Sequence, residues 1–576
     1  MSHLFLLEIG VEELPASYVM PGVNQLEDRL RALFSQQRTS FERSEHWATP
    51  RRLAVRFGGL PERQPDRTWE ARGPAARIAF DADGQPTPAA LGFARGQGVE
   101  LADLLRRETP EGEYLFAQRH ERGRAVAAIL ADELPLLITG LEWPRTMRWG
   151  AYDLRFARPI RWLVALLDGE VVPFTLAGVE SGRDSRGHRT LAAAPVRFSH
   201  AADYPGGLRE AGVIADVDER TAMIRAQVEA AAAEVEGAVS VEPELLSEVT
   251  QLVEYPTDFR GTFDAAYLEI PEPVLVTSMR HHQRYFPLRD KRGRLLPSFV
   301  GVRNGDSVGL EEVCRGNEKV LQARLADAAF FWNSDLRESL ANYVERLQNL
   351  TFQERLGSMY EKTLRVRSLV RQIADQVALP ADDKAQLERA AYLCKADLMT
   401  SLVYEFPELQ GIMGREYALR SGEPAAVADA IAGHYLPLQA GDQPAPDTLG
   451  RLLGLADRLD TLAGYFAIGI QPSGSQDPYG LRRAALGALA ILRGTGWPLG
   501  LEELLWRALD QYGVLGLSEE ERRAVHAELL SFLRNRLRVL LQEEGQPRDL
   551  VDAVLAGSIG GLPSVQKRLE ALARLS

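Results

Sequence analysis

The feature that most limits how this 576-residue chain can fold is a change of rhythm near residue 336. Before it, strand-like and helical stretches alternate, as in LFLLEIG, PGVNQLEDRLRALFSQQ, RLAVRFGGL and RWLVALLDGEVVPFTLAG. The alternation continues from about residue 190 through APVRFSH, the helical DERTAMIRAQVEAAAAEVEGA, and the strand-like VLVTSMRHHQRYFPL and PSFVGVRN. After it the chain becomes almost wholly helical. A mixed front followed by a helical rear predicts a multidomain α+β protein. The length agrees, since such a chain holds roughly four domains. We expect a mixed α/β body over residues 1–190 and 191–335, then a helical remainder over 336–576.

Local signals support individual helices. In residues 311–335, Leu321, Leu325, Ala328 and Trp332 recur at helical spacing and define one apolar face. Ser518 and Glu521 make a capping box that opens a helix running to Gly545.

Composition excludes several classes. Cys314 and Cys394 are the only cysteines, too few for a disulfide scaffold or a thiolate zinc ribbon, and they suit a reducing cytoplasm. The N-terminal apolar run is short and meets acidic residues at once, unlike a signal peptide. No apolar segment reaches membrane length, so a cytoplasmic protein with no membrane partner is expected. The net charge of −13 argues against a generally basic surface but leaves room for a local phosphate-binding face. Only six of the 67 basic residues are lysines, Lys291, Lys319, Lys362, Lys384, Lys395 and Lys567. Arginine is therefore the default cation here, and a lysine asks for a reason.

The stretch VTSMRHHQRYFPLRD, residues 276–290, is the densest basic segment. Taken as a strand, it puts Arg280, His282 and Arg284 on one face and Met279, His281, Gln283 and Tyr285 on the other. Adjacent His281 and His282 cannot then share a metal. Arg289, Lys291, Arg292 and Arg294 extend the cationic run, and interleaved aromatics suit nucleic-acid phosphates with base or sugar stacking. An ordinary strand with one solvated basic face is the competing reading, and both stay open.

Two other motifs read as structural. Glu12 and Glu13 before Pro15 look like a strand-to-helix junction rather than paired acid and base. In PSGSQDPYGLRR, Gly474 and Ser475 with the single Asp477 fit a loop capping the helix that begins near Tyr479.

The helical region carries a more specific pattern. YEKTLRVRSLV, CKADLMT and LADRLDTLAG resemble, in order and spacing, the three sites of the HD metal-dependent phosphohydrolase superfamily. That pattern is His, then His-Asp, then Asp, a ligand set that lets a hard divalent metal activate water. Here Lys362 and Ala396 replace the two histidines, leaving Asp397 and Asp457, with His434 as a further imidazole. We expect a vestigial pocket with no metal, in which the Lys362 ammonium pairs with Asp397 or Asp457.

EIGVEELPA, ATPRRLAV, EWPRTMRWG, RPIRWLVALLDGEVVPF, EYPTDFRGTFDAAYLEIPEPVLVTSMRHHQRYFPL, GNEKVLQARLADAAFFWNSDL, KADLMTSLVYEFPELQGIMGREYA and GSQDPYGLRRAALG span nearly the whole chain. Together they resemble the β subunit of the bacterial heterotetrameric glycyl-tRNA synthetase family. The resemblance implies a mixed α/β N-terminal body, an all-α degenerate HD domain, and the start of a helical anticodon-binding domain around FLRNRLRVLLQEEGQPRDLVDAVLAG. Family members continue beyond the length seen here, so that last domain is expected to be incomplete. The resemblance also implies a non-catalytic role: tRNA(Gly) binding, an α2β2 assembly with a separate α subunit, and ATP and magnesium used through that subunit rather than bound tightly by this chain. Class I His-Ile-Gly-His and Lys-Met-Ser-Lys-Ser signatures and a class II Gly-rich arginine motif are not found, so no catalytic residue and no metal ligand is assigned. RNA contacts are expected at Arg280, His282, Arg284, Arg289 and Lys291, with Arg534 and Arg538 second. The alternatives are an active HD phosphohydrolase and a scaffold that binds no RNA.

Overall fold

The computed structural model describes residues 2–81, 84–439, 441–472, 477–557 and 559–574. The chain divides into two compact units, Met1–Ala265 with Met279–Leu321, and Ala266–Ser278 with Gln322–Ser576.

The first unit is mixed α/β. Its main sheet places the strands Arg43–Thr49, Arg52–Leu60, His3–Val11, Ile160–Leu167, Val179–Gly182 and Thr175–Leu176 side by side, with Glu170–Val171 paired to Ile160–Leu167. Its pairs are antiparallel except Val179–Gly182 against Ile160–Leu167. His3–Val11 is central and covered on both faces, which is why LFLLEIG is a nearly continuous apolar run. The two-residue period sends Phe5, Leu7, Ile9 and Val11 into one core. There they meet Val19, Val23, Leu26 and Leu30, one stripe of the Ala16–Gln36 helix. Leu6 points to the opposite core with Trp47, Ala54, Trp162 and Val164.

The same period buries Glu8 beside Leu6. A carboxylate with no solvent access needs partners. Ser185 Oγ, Trp162 Nε1 and Arg52 Nη1 all donate to its Oε1, at 2.8, 3.0 and 3.2 Å. Arg52, itself fully buried, also donates to Glu254 Oε1 from Nη2 at 3.0 Å.

Among the described residues three further sheets complete this unit, one of them a two-stranded ribbon of Asp184–Arg186 with Pro195–Arg197. Arg67–Ala75, Gly112–Glu121 and Leu104–Thr109 form a three-stranded antiparallel sheet. Ala238–Val239, Phe286–Arg289, Leu295–Asn304 and Pro256–Thr262 form another. Its apolar face packs on the Val217–Ala233 helix through Ile224 and Val228 against Phe286, Leu288 and Val300.

Among its described residues the second unit is helical apart from a ribbon of Thr351–Gln353 with Gly357–Ser358 and an isolated bridge between Gly500 and Gly561. The Leu310–Asp335 helix forms as its periodicity requires, with Leu321, Leu325, Ala328 and Trp332 all buried. Ser518 and Glu521 make the expected capping box on Glu519–Glu543. Asp477 accepts the amides of Leu481 and Arg482, both at 2.8 Å, and so caps Leu481–Arg493; Gly474 and Ser475 lie outside the described residues.

One element differs from the sequence reading. Residues 276–285 are not a strand. Pro271 precedes a helix, Glu272–Thr277, that widens into a π turn over Ser278–His282. Arg284 ends it with φ 57°, and the Tyr285 amide returns to the Met279 carbonyl at 2.8 Å. The strand starts only at Phe286. The β-branched VLVT run argued for a strand, but Pro271 and Pro273 sit where helices begin and settle the local conformation.

Candidate functional site

The helical pocket assembles from four segments. The Met359–Gln376 helix, opened by a Ser358–Glu361 capping box, turns Lys362 inward one turn later. Ala381–Leu393 leads to Lys395, Ala425–Gly433 ends at His434, and Thr448–Ala467 contributes Asp457 and Asp460. Lys362 Nζ lies 3.1 Å from Asp457 Oδ1, 3.1 Å from Asp460 Oδ2 and 2.8 Å from Thr461 Oγ1. On the other side, Lys395 Nζ lies 3.3 Å from Asp457 Oδ2 and 2.8 Å from His434 Nε2. Arg365 Nε donates to Asp460 Oδ1 at 2.8 Å.

Asp457 is thus bracketed by two ammonium groups. Burial raises its pKa, but Lys362 and Lys395 outweigh that and hold it well below the usual carboxylate range. His434 is fully buried; burial first, and the Lys395 charge second, push its pKa well below the ordinary value. Its Nδ1 donates to the Ile431 carbonyl at 2.6 Å, so a neutral ring offers its Nε2 lone pair to Lys395. Asp397 Oδ2 accepts the amides of Gly411 and Gly414 at 2.5 and 3.1 Å, while its buried Oδ1 has no hydrogen-bond partner among the described residues. Burial pushes its pKa up to about 6.

This donor set does not fit a hydrolytic divalent metal. A cation approaching Asp457 meets two ammonium groups, the His434 lone pair is taken, and Asp397 commits its Oδ2 to backbone amides, so that a single unpartnered carboxylate oxygen, Oδ1, is left at that position. Of the two partners expected for Lys362, the structure gives Asp457 and not Asp397. Lys395 and Asp460 were missed by sequence reasoning. The signal for Lys395 was available, because lysine is rare here and Lys362 and Lys395 are the two buried ones among the described residues.

The basic segment is less free than its sequence suggests. Arg280 is ion-paired with Glu242, and Arg284 Nε with Glu248 Oε1 at 2.9 Å. Lys291 Nζ sits 3.0 Å from Glu236 Oε2, Arg294 2.8 Å from Asp290, and Arg289 Nη1 donates to the Gly293 carbonyl at 2.9 Å. His282 and Arg284 line a cleft of about 930 Å³ whose other wall carries Glu244 and Glu248. The aromatics expected to stack on bases belong to the core. Phe286 is fully buried, and Tyr285 stacks on Phe299 with ring centroids 4.3 Å apart while its hydroxyl donates to Asn317.

Against known sequences, the family described as glycyl-tRNA synthetase beta subunit matches residues 5–556. The "Glycine--tRNA ligase beta subunit" of Desulforudis audaxviator (strain MP104C) is 48% identical over 573 residues, covering 100% of this chain and 83% of that protein. The proteins of the same description from Shouchella clausii (strain KSM-K16) and Desulfitobacterium hafniense (strain DSM 10664 / DCB-2) are 46% and 44% identical, covering 97% and 100% of this chain and 80% and 83% of theirs.

The chain belongs to the glycyl-tRNA synthetase beta subunit family. It is therefore part of an aminoacyl-tRNA synthetase, a ligase that joins glycine to tRNA. Arg534 and Arg538, the second pair expected from the sequence to meet RNA, are partnered too. Arg534 Nη2 lies 3.4 Å from Glu502 Oε1, and Arg538 Nε donates to Asp552 Oδ1 at 2.7 Å. Both sit on the Glu519–Glu543 helix, at the edge of the stripe formed by its buried Leu529, Leu533, Leu537 and Leu541. At the N-terminal junction, Glu12 reaches Arg161 at 3.2 Å and Arg189 at 3.3 Å, and Glu13 reaches Arg189 at 3.3 Å. Pro15 stands directly before the Ala16–Gln36 helix.

Proposed function

We infer that this chain is the tRNA-holding subunit of a two-subunit glycine–tRNA ligase. It binds tRNA(Gly) and docks on a separate α subunit that activates glycine with ATP and magnesium. The observation that carries this reading is the family match over residues 5–556, with relatives themselves called beta subunits. The helical pocket supports it: residues 336–515 serve as a degenerate HD domain whose metal charge is replaced by Lys362 and Lys395, and residues 516–576 as the beginning of an anticodon-binding domain. Such a subunit contributes by holding the reacting end of the RNA in place, which lowers the entropic part of the barrier without a catalytic side chain of its own. Arg280, His282, Arg284, Arg289 and Lys291, then Arg534 and Arg538, are the cations offered to phosphates. No helix among the described residues is long and apolar enough to cross a membrane, which is compatible with work in the cytoplasm.

The test is ATP-dependent transfer of glycine to tRNA by this chain alone, by a purified α subunit alone, and by the two mixed. Charging only in the mixture supports the reading; charging by this chain alone, or by no combination, overturns it. A scaffold that binds the α subunit but not RNA is the second reading, favoured by the carboxylate partners of Arg280, Arg284, Lys291, Arg534 and Arg538. A gel shift with tRNA separates the two.

A further inference from the structure

The first unit holds a cavity of about 520 Å³ outside every residue considered so far for RNA contact. Arg51, Arg161, Arg186 and Arg189 line it, with Glu12 and Trp162. Four guanidiniums around one cavity repel each other unless anions separate them. The protein's own anions do so only in part. Glu12 is shared between Arg161 and Arg189. Glu254 reaches Arg51 at 3.3 Å but is also the partner of the buried Arg52. Glu8, the next carboxylate behind, has its pKa raised by burial against the pull of Arg52.

Arg186 is left without an anion, and Arg51 has only a shared one. Arg186 makes no ion pair among the described residues; it lies over Trp162, with its guanidinium 5.3 Å from the ring centroid. Arg51 is 7% exposed, and its Nε is buried with no hydrogen-bond partner, while Nη1 serves the Gly187 carbonyl and Glu254. Burial, with Arg52 and Arg189 nearby, makes the charge on Arg51 costly, against the pull of Glu254. A buried N–H of a charged group with no acceptor is expensive, and a guanidinium at a cavity wall gains charge-assisted bonds once an anion enters.

We propose that this cavity binds a phosphoryl group, with Arg51 and Arg186 as its contacts and Arg189 available from the rim. Phosphate is favoured over a bulkier apolar acid because the guanidinium forks match its oxygens. The Trp162 ring is already covered by Arg51, Arg52 and Arg186, each 5.3–5.6 Å from its centroid, so it presents little open apolar face. The volume admits a mononucleotide or the phosphorylated end of an RNA. The site does not depend on the tRNA reading, since a free nucleotide satisfies it.

Calorimetric titration of the full chain tests this. The probes are inorganic pyrophosphate, AMP against adenosine, and a short 5′-phosphorylated RNA against its 5′-hydroxyl counterpart. Phosphorylated probes should bind and their unphosphorylated counterparts should not. Arg186→Ala, an exposed side chain without an ion pair, should weaken binding about tenfold or more, and Arg189→Ala should weaken it less. Binding of pyrophosphate or AMP identifies a free-phosphate site; binding of the 5′-phosphorylated RNA alone identifies an RNA-end site; either supports the proposal. No binding by any phosphorylated probe, RNA binding indifferent to its 5′ phosphate, or undiminished affinity in the folded Arg186→Ala protein overturns it. Charging assays are untouched by that last result, so the subunit reading stands or falls separately.

Discussion

Lys395 and His434 share one hydrogen bond, 2.8 Å from Nζ to Nε2, on a ring whose other nitrogen is already committed to the Ile431 carbonyl. The bond holds a neutral imidazole beside a charged lysine. Removing the ammonium by Lys395→Met should move the His434 pKa upward, although burial keeps it below the ordinary histidine value. An NMR titration of the His434 ring checks this; an unchanged pKa would mean the lysine charge is not felt there.

Lys362 touches both Asp457 and Asp460 in a pocket it shares with almost no solvent. Lys362→Met leaves two carboxylates in low dielectric with fewer counter-charges. Breaking a buried pair from one side costs about 3–5 kcal/mol, and denaturant unfolding should show a loss of that order. A loss below about 1 kcal/mol would mean that water screens the pocket as it does a surface pair.

Asp397 and Asp457 should pull stability in opposite directions with pH. Asp457, depressed in the fold, stabilises above the unfolded carboxylate value of about 3.9 and loses that contribution on acidification below it. Asp397, raised to about 6, does the reverse: the folded state holds its proton more tightly, so its contribution is full below about pH 3.9 and is lost as pH rises through about 6. In Asp397→Asn the part of the stability that falls between about pH 4 and 6 should disappear. Unfolding curves of the two proteins across that range decide it.

The carboxylates facing the basic segment give a test of RNA contact that does not delete the cations. Glu242→Gln and Glu248→Gln release Arg280 and Arg284 from their ion pairs. If these arginines meet phosphates, tRNA affinity should rise and its salt dependence steepen; each added phosphate contact raises the log–log slope by about 0.9. An unchanged slope in filter binding would remove the segment from the interface.

Tyr285 separates the core role from a stacking role. Tyr285→Ala should cost about 3–5 kcal/mol, as for other buried aromatics, because it empties the contact with Phe299. Thermal unfolding reads this directly; a stable Tyr285→Ala protein with weakened RNA binding would restore the stacking role.

Much of the scaffold was legible because it rests on short-range rules. The apolar stripe ending at Trp332, the Ser518 capping box and the LFLLEIG strand each follow from spacing within a few residues. Residues 276–285 were misread because a short β-branched run satisfies two periodicities, and the decision fell to the prolines upstream. The ion pairs of the basic segment could not be read at all, since Glu242 and Glu248 lie 38 and 36 positions from their arginines. The lysine pocket was half legible. Lys362 stood out at a position where a ligand was missing, whereas Lys395 approaches the same carboxylate from a segment 62 residues away.

The bracketing of Asp457 by Lys362 and Lys395 changes what this helical pocket asks of its surroundings. Its neutralising charge is supplied by translation, one ammonium from each of two segments, and is fixed in stoichiometry by the chain itself. Two ammonium groups already stand where a cation would approach Asp457. The charge balance at Asp457 is thus written into the sequence and is set as these helices pack together.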